Sequence, residues 1–140
     1  MDVLVDTSIW SLAFRRKASP LVPPEVLELK QLIIECRARI IGPVRQELLS
    51  GIAHSEQYES LKDKLRAFPD IPLETGHFER AAEMFNQCRK VGIQGAHVDF
   101  VICAVAKGHA MPVFTSDRDF EHYDRILGIP LYRPRIPLTD

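Results

Sequence analysis

The stretch His97-Val98-Asp99-Phe100-Val101-Ile102-Cys103-Ala104-Val105-Ala106-Lys107 decides the fold. From Val98 to Ala106 every residue except Asp99 is apolar. A helix that is apolar on all sides is one that the fold buries. The run is too short to cross a bilayer, which takes about 20 apolar residues. It therefore reads as the central helix of a soluble domain, ended by Gly108, with one carboxylate near its first turn. Burying a lone carboxylate is costly unless something pairs with it. The free N–H groups and dipole of the helix N-terminus offset part of that cost. Taken alone, Asp99 reads equally as a helix cap or as a functional acid.

On either side of this helix, strand and helix patterns alternate. Before it, Gly92 and Gly95 make a loop, and His77 to Val91 reads as a helix capped by Thr75, with Ala81, Met84, Phe85 and Cys88 inward. After it, Pro112 to Thr115 reads as a strand, followed at once by Ser116-Asp117-Arg118-Asp119-Phe120. Leu131-Tyr132 reads as a last strand and the proline-rich end as a surface tail. At the start of the chain, Val3-Leu4-Val5 is a buried strand that Asp6 ends, and Asp6-Thr7-Ser8 offers N-caps for a helix from Ile9 to Phe14.

Glu25 to Ala38 carries Val26, Leu29, Ile33 and Cys36 at helical spacing, with Pro24 at its first turn. Ile40-Ile41 is a second strand candidate, stopped by Gly42-Pro43. Val44 to Leu49 and Glu56 to Phe68 read as helices, and Ile71-Pro72-Leu73 as a short extended piece. The alternation predicts an α/β fold, a three-layer α/β/α sandwich around a mostly parallel sheet. No repeat or linker divides the chain, so one domain over residues 1–140 is expected.

Composition narrows the classes. The chain is 46% hydrophobic, enough for a packed interior, and its net charge of −1 gives no global basic field for a polyanion. Any nucleic-acid site must be a local patch. Cys36, Cys88 and Cys103 form no C-x-x-C pair; each lies in an apolar stripe, where cysteine is usually a small buried hydrophobe. Their odd number and the lack of a framework suggest a reducing compartment. No signal-peptide pattern is visible in MDVLVDTSIW, so a cytoplasmic location without a membrane partner is expected.

The carboxylates carry the chemistry. Asp6 follows the first strand and Asp117 follows the strand Val113 to Thr115. In an open parallel sheet, ligands bind beyond the carboxyl ends of the strands. Asp99 lies near the N-terminus of the helix that leads to that second strand, and Glu47 on a short helix after the second strand candidate. Acids packed together repel, and a bound divalent cation removes the conflict. A hard cation such as Mg²⁺ takes oxygen ligands, and such a site suits phosphodiester hydrolysis. Whether one ion or two act is left open.

These pieces together resemble the PIN-domain ribonucleases, most closely the VapC-type toxins of toxin–antitoxin pairs. They are Val3-Leu4-Val5-Asp6-Thr7-Ser8-Ile9-Trp10, then Glu47-Leu48 with Ser50-Gly51, then Asp99 in VDFVICAVAKGHAMPVFTSDRDF. The resemblance spans nearly the whole chain. It implies a Mg²⁺- or Mn²⁺-dependent endoribonuclease with Asp6, Glu47, Asp99 and Asp117 as its acidic site. By likeness, Asp6 and Asp99 are the direct metal ligands, and Glu47 and Asp117 complete the site directly or through water. Ser8 and Thr115 would orient these acids or a bound water. A homodimer, an RNA substrate and a small cognate antitoxin protein are expected partners.

Other residues have two readings. Asp119 is a fifth site acid or a cap of the following turn. Arg15, Arg16 and Lys17 meet RNA phosphates or form a solvated basic turn. Arg118 contacts a phosphate or makes an exposed ion pair. His97 reads as a helix-start residue, and Trp10 and Phe14 as core or dimer contacts. A haloacid-dehalogenase-type phosphatase would want a second Asp where Ser8 stands. A receiver domain would want paired acids beside the first strand. A non-catalytic binding module would be expected to lack some of the acids, and none is missing.

Overall fold

A computed structural model describes residues 1–15 and 21–136. Three short strands, β1 (Val3–Val5), β2 (Ala38–Arg39) and β3 (Val113–Phe114), form a parallel sheet in the order β2-β1-β3. Val3 pairs with Ala38 and Leu4 with Arg39; on the other side Leu4 pairs with Val113 and Val5 with Phe114. Single parallel bridges at Ile40–Asp70 and Val113–Leu131 extend it. All of β1 is buried, as a central strand covered on both faces must be.

Seven helices are present among the described residues: α1 (Thr7–Phe14), α2 (Pro24–Ile34), α3 (Gly42–Leu49), α4 (Ser55–Leu65), α5 (Thr75–Lys90), α6 (His97–Gly108) and α7 (Asp119–Leu127). They sort into two packed groups. In one, α1 packs on α2 and α3, and α3 on α4; in the other, α5 packs on α6 and α7. The arrangement is the expected α/β/α sandwich around a parallel sheet. Helix α6 is the apolar centre, with every residue from Phe100 to Ala106 buried. Trp10 is fully buried on α1, donates its indole N–H to the Val5 carbonyl at 3.1 Å, and packs against Phe14 and Phe68.

Several boundaries differ from the sequence reading. Helix α2 stops at Ile34, not near Ala38, because Cys36 takes a left-handed backbone (φ 57°). Cys36 is therefore exposed, not a buried hydrophobe, whereas Cys88 and Cys103 are buried. The chain turns there, so the strand forms at Ala38–Arg39 and Ile40 makes only a bridge. Glu74, not Thr75, is the N-cap of α5; its N–H donates to His77 Nδ1 at 2.9 Å. Leu131 contributes one bridge in place of a last strand. Helix α7 lies in a segment where the sequence reading assigned no helix.

Candidate active site

The ends of β1 and β3 bring Asp6 and Asp117 to one edge of the sheet. The Asp6 N–H donates to the Phe114 carbonyl at 2.9 Å, carrying the ladder one residue past β1. Asp6 occupies the N-cap position of α1, but its side chain turns to two hydroxyls. Ser8 Oγ donates to Asp6 Oδ2 at 2.9 Å and Thr115 Oγ1 donates to the same oxygen at 2.7 Å. Each hydroxyl has one proton, and both are spent on this oxygen. Their lone pairs accept the next backbone: Ser116 N–H on Ser8 Oγ at 3.0 Å, and Asp117 N–H on Thr115 Oγ1 at 3.0 Å. Ser8 and Thr115 are thus both hydrogen-bonded to Asp6. They tie the N-terminus of α1 to the loop after β3.

Glu47 on α3 joins through Thr7, whose hydroxyl donates to Glu47 Oε1 at 2.7 Å. Asp99 sits in the first turn of α6 and accepts the Tyr123 hydroxyl on Oδ2 at 2.8 Å. Asp117 Oδ1 accepts the N–H of Asp119, which begins α7 at 2.9 Å. Asp119 is exposed, and its observed bond is this backbone contact at the helix start. Tyr123 is the partner that sequence reading missed. An aromatic at helical spacing with Phe120 and Leu127 reads as plain core, and only the fold points its hydroxyl at Asp99.

The electrostatics tie the acids together. Burial pushes the Asp99 carboxyl up to about 6; the Tyr123 hydrogen bond opposes this, and the charges of Asp6, Asp117 and Glu47 add to it. Burial likewise raises Asp6 above the ordinary carboxylate value, against the pull of the Thr115 and Ser8 hydroxyls. Among the described residues, no Lys, Arg or His forms an ion pair with any of the four acids. The nearby thiol of Cys103 is also pushed up, by burial and then by Asp99, so it is no nucleophile. Among the described residues, the site is a set of acids with hydroxyl and amide partners and no paired basic side chain.

That set fits a hard, hydrated ion. Among the described residues, no three acids close into a ready-made cage. Mg²⁺ asks for no such cage, since it binds through one or two carboxylates and keeps several waters. Beside Asp117 and Thr115 a groove of about 860 Å³ runs between α7 and the segment Leu131–Pro134, with Arg118, Arg125 and Arg133 on its walls. Arg118 is exposed there and makes no ion pair among the described residues. Arg15 is exposed beside a separate groove between α1 and α4, while Arg16 and Lys17 lie outside the described residues.

The fold is a parallel α/β sandwich in which Asp6 and Asp117 follow β1 and β3 at one edge of the sheet. The PIN-domain family model matches residues 3–126, and the chain belongs to that family, whose members are nucleases that generally use divalent ions. No curated protein sequence matches the chain. Solved structures do. FitAcB from Neisseria gonorrhoeae matches with a TM-score of 0.73 and 22% identity, covering 94% of this chain and 97% of that one. VapBC2 from Rickettsia felis, bound to a DNA fragment from its promoter, matches at 0.69 and 18%, covering 94% and 98%. VapBC-5 from Mycobacterium tuberculosis, of the VapBC family of toxin–antitoxin systems, matches at 0.66 and 20%, covering 94% and 98%. At these identities the likeness is one of fold.

Proposed function

We propose that the chain is a single PIN domain over residues 1–140 acting as a Mg²⁺- or Mn²⁺-dependent endoribonuclease, the toxin of a toxin–antitoxin pair. The observation that carries this reading is that the charges of Asp6, Asp117 and Glu47 all act on Asp99, while among the described residues none of the four has a basic partner. Family membership supports nuclease chemistry, and the matched toxin–antitoxin structures support an antitoxin partner. The reading extends to a cytoplasmic location and a homodimer. Among the described residues, no helix is long and apolar enough to cross a membrane.

Asp6 and Asp99 would hold the ion, with Glu47 and Asp117 completing the site directly or through water. When bound, it supplies a polarised phosphoryl oxygen and a water acidic enough to attack. The chain's own residues do the rest. Ser8 and Thr115 hold Asp6 by one oxygen, Thr7 holds Glu47, and Tyr123 holds Asp99. Arg118, beside Asp117, would meet an RNA phosphate, and Arg15 would do so only for RNA reaching the separate α1–α4 groove. An antitoxin segment would fill the pocket and bring a basic side chain to the acids.

The test is cleavage of RNA by the purified chain with Mg²⁺ or Mn²⁺, with and without EDTA, beside Asp6→Asn. Cleavage that EDTA stops and Asp6→Asn lacks is the expected result. Cleavage that persists in both cases would end the metal-dependent reading. A co-purifying neighbour protein should abolish cleavage, and an enzyme indifferent to it would count against the toxin assignment. Sequencing RNA ends after brief induction identifies the substrate.

A further inference from the structure

We infer that Tyr123 is a positioning residue that makes Asp99 a one-oxygen ligand and so biases the site towards a small six-coordinate cation and against calcium. This rests on the metal-dependent reading above. Tyr123 is fully buried on α7, and its hydroxyl donates to Asp99 Oδ2 at 2.8 Å. The rings of Phe100 and Phe120 lie 4.9 and 5.1 Å from its own, so the phenol has little freedom to swing away. With one lone pair of Oδ2 taken by the phenol, Oδ1 is the Asp99 oxygen that no hydrogen bond from a described residue engages.

The backbone makes room for this contact. A Cβ at Gly95, in the loop before α6, would lie 2.1 Å from the Tyr123 hydroxyl and 2.9 Å from its Cζ. Gly95 has no left-handed backbone to explain it. Its missing side chain is the space in which the hydroxyl sits. The other acids follow the same rule. Asp6 Oδ2 takes two hydroxyls, Glu47 Oε1 takes Thr7, and Asp117 Oδ1 takes an amide. Calcium takes six to eight oxygens, often with both oxygens of a carboxylate, whereas magnesium keeps an octahedron of few carboxylates and several waters. A site whose acids each have one oxygen tied to a protein donor suits the second ion.

Calorimetric titration of the full chain with Mn²⁺ and with Ca²⁺ tests this, on the native protein, Tyr123→Phe and Gly95→Ala. Thermal melts check that each variant is folded. Native protein should bind Mn²⁺ more tightly than Ca²⁺. Tyr123→Phe keeps the ring and frees Oδ2, so the preference should fall about tenfold, the low end for loss of an outer-shell partner. Gly95→Ala displaces the hydroxyl from the other side and should act the same way; it decides the matter alone if Tyr123→Phe does not fold. A folded variant that keeps the native preference overturns the inference and leaves the nuclease reading standing. A native protein that binds neither ion overturns both.

Discussion

Two buried carboxylates stand at different places in this molecule. Asp6 is 5% exposed and Glu28 is 0% exposed. Glu28, on α2, receives the Tyr132 hydroxyl on Oε1, together with the Arg135 N–H at 3.2 Å and the Arg135 guanidinium at 3.0 Å. Arg135 also grips Glu35 at 2.8 Å, closing the segment after Tyr132 onto α2. Burial alone would raise the Glu28 carboxyl, but Tyr132 and then Arg135 bring it below its ordinary value. Asp6 has hydroxyls and no guanidinium, and burial leaves it raised. One acid already has its cation and fastens a segment. The other is buried near further acids and, among the described residues, pairs with no base, which is the contrast expected between an ion-binding acid and a structural clamp.

The largest expected effect separates the two acids by function. Asp6→Asn should lower RNA cleavage by more than about 100-fold, beyond the usual loss for an outer-shell partner. Its melting temperature in EDTA should be no lower than native, because a neutral amide escapes the burial penalty and still accepts both hydroxyls. An Asp6→Asn protein that unfolds would make Asp6 a second clamp and erase the contrast. The mirror experiment is Arg135→Ala. It removes the guanidinium, leaving Glu28 with the Tyr132 hydroxyl and the backbone N–H of position 135, and should lower the melting temperature by about 5 °C, with cleavage per folded molecule unchanged. Lost cleavage at an unchanged melting temperature would move Arg135 into the site.

Acidity sharpens the comparison further. Asp99 goes from 3.8 to about 6 on folding and Asp6 is also raised, so between those values the folded chain binds more protons than the unfolded one. Stability of the metal-free protein therefore falls as pH rises from about 4 to 6. The half-open Asp99 site discounts the loss to the order of 1 kcal/mol. Glu28 and Glu35 are lowered, Glu35 to about 2 by Arg135, Gln31 and Arg37, so their contribution is lost as pH falls below about 4. Melting in EDTA should peak near pH 4 to 5, and added Mn²⁺ should raise the melting temperature at pH 7 but not at pH 4. A metal-free optimum at pH 7 would contradict the burial argument.

The same contrast explains what could be read from the chain. As candidates, Asp6, Glu47, Asp99 and Asp117 stand out in the chain: Asp6 and Asp117 follow a strand, Asp99 lies inside an apolar run, and Glu47 sits on a short helix beside Leu48 and Leu49. Glu28 does not, since a glutamate between Leu27 and Leu29 on an amphipathic helix looks solvated until Arg135, far along the chain, arrives. Tyr123 hid for the opposite reason, its ring matching the core face of α7 while only tertiary packing aims its hydroxyl. The boundary at Cys36 depends on one left-handed residue, which helical spacing does not reveal.

Asp119 gives the smallest effect and the finest test of where the site ends. It is exposed at the first position of α7, and its N–H caps onto Asp117. Its charge is felt by Tyr123, whereas the acids acting on Asp99 are Asp6, Asp117 and Glu47. An acid in a first turn stabilises the helix dipole by about 0.5 kcal/mol. Asp119→Asn keeps the backbone bond and should lower cleavage by less than about threefold, a change that roughly 0.6 kcal/mol produces. Asp117→Asn, two residues earlier, should lower it far more. Equal losses in the two variants would extend the acidic site along α7 and group Asp119 with Asp6.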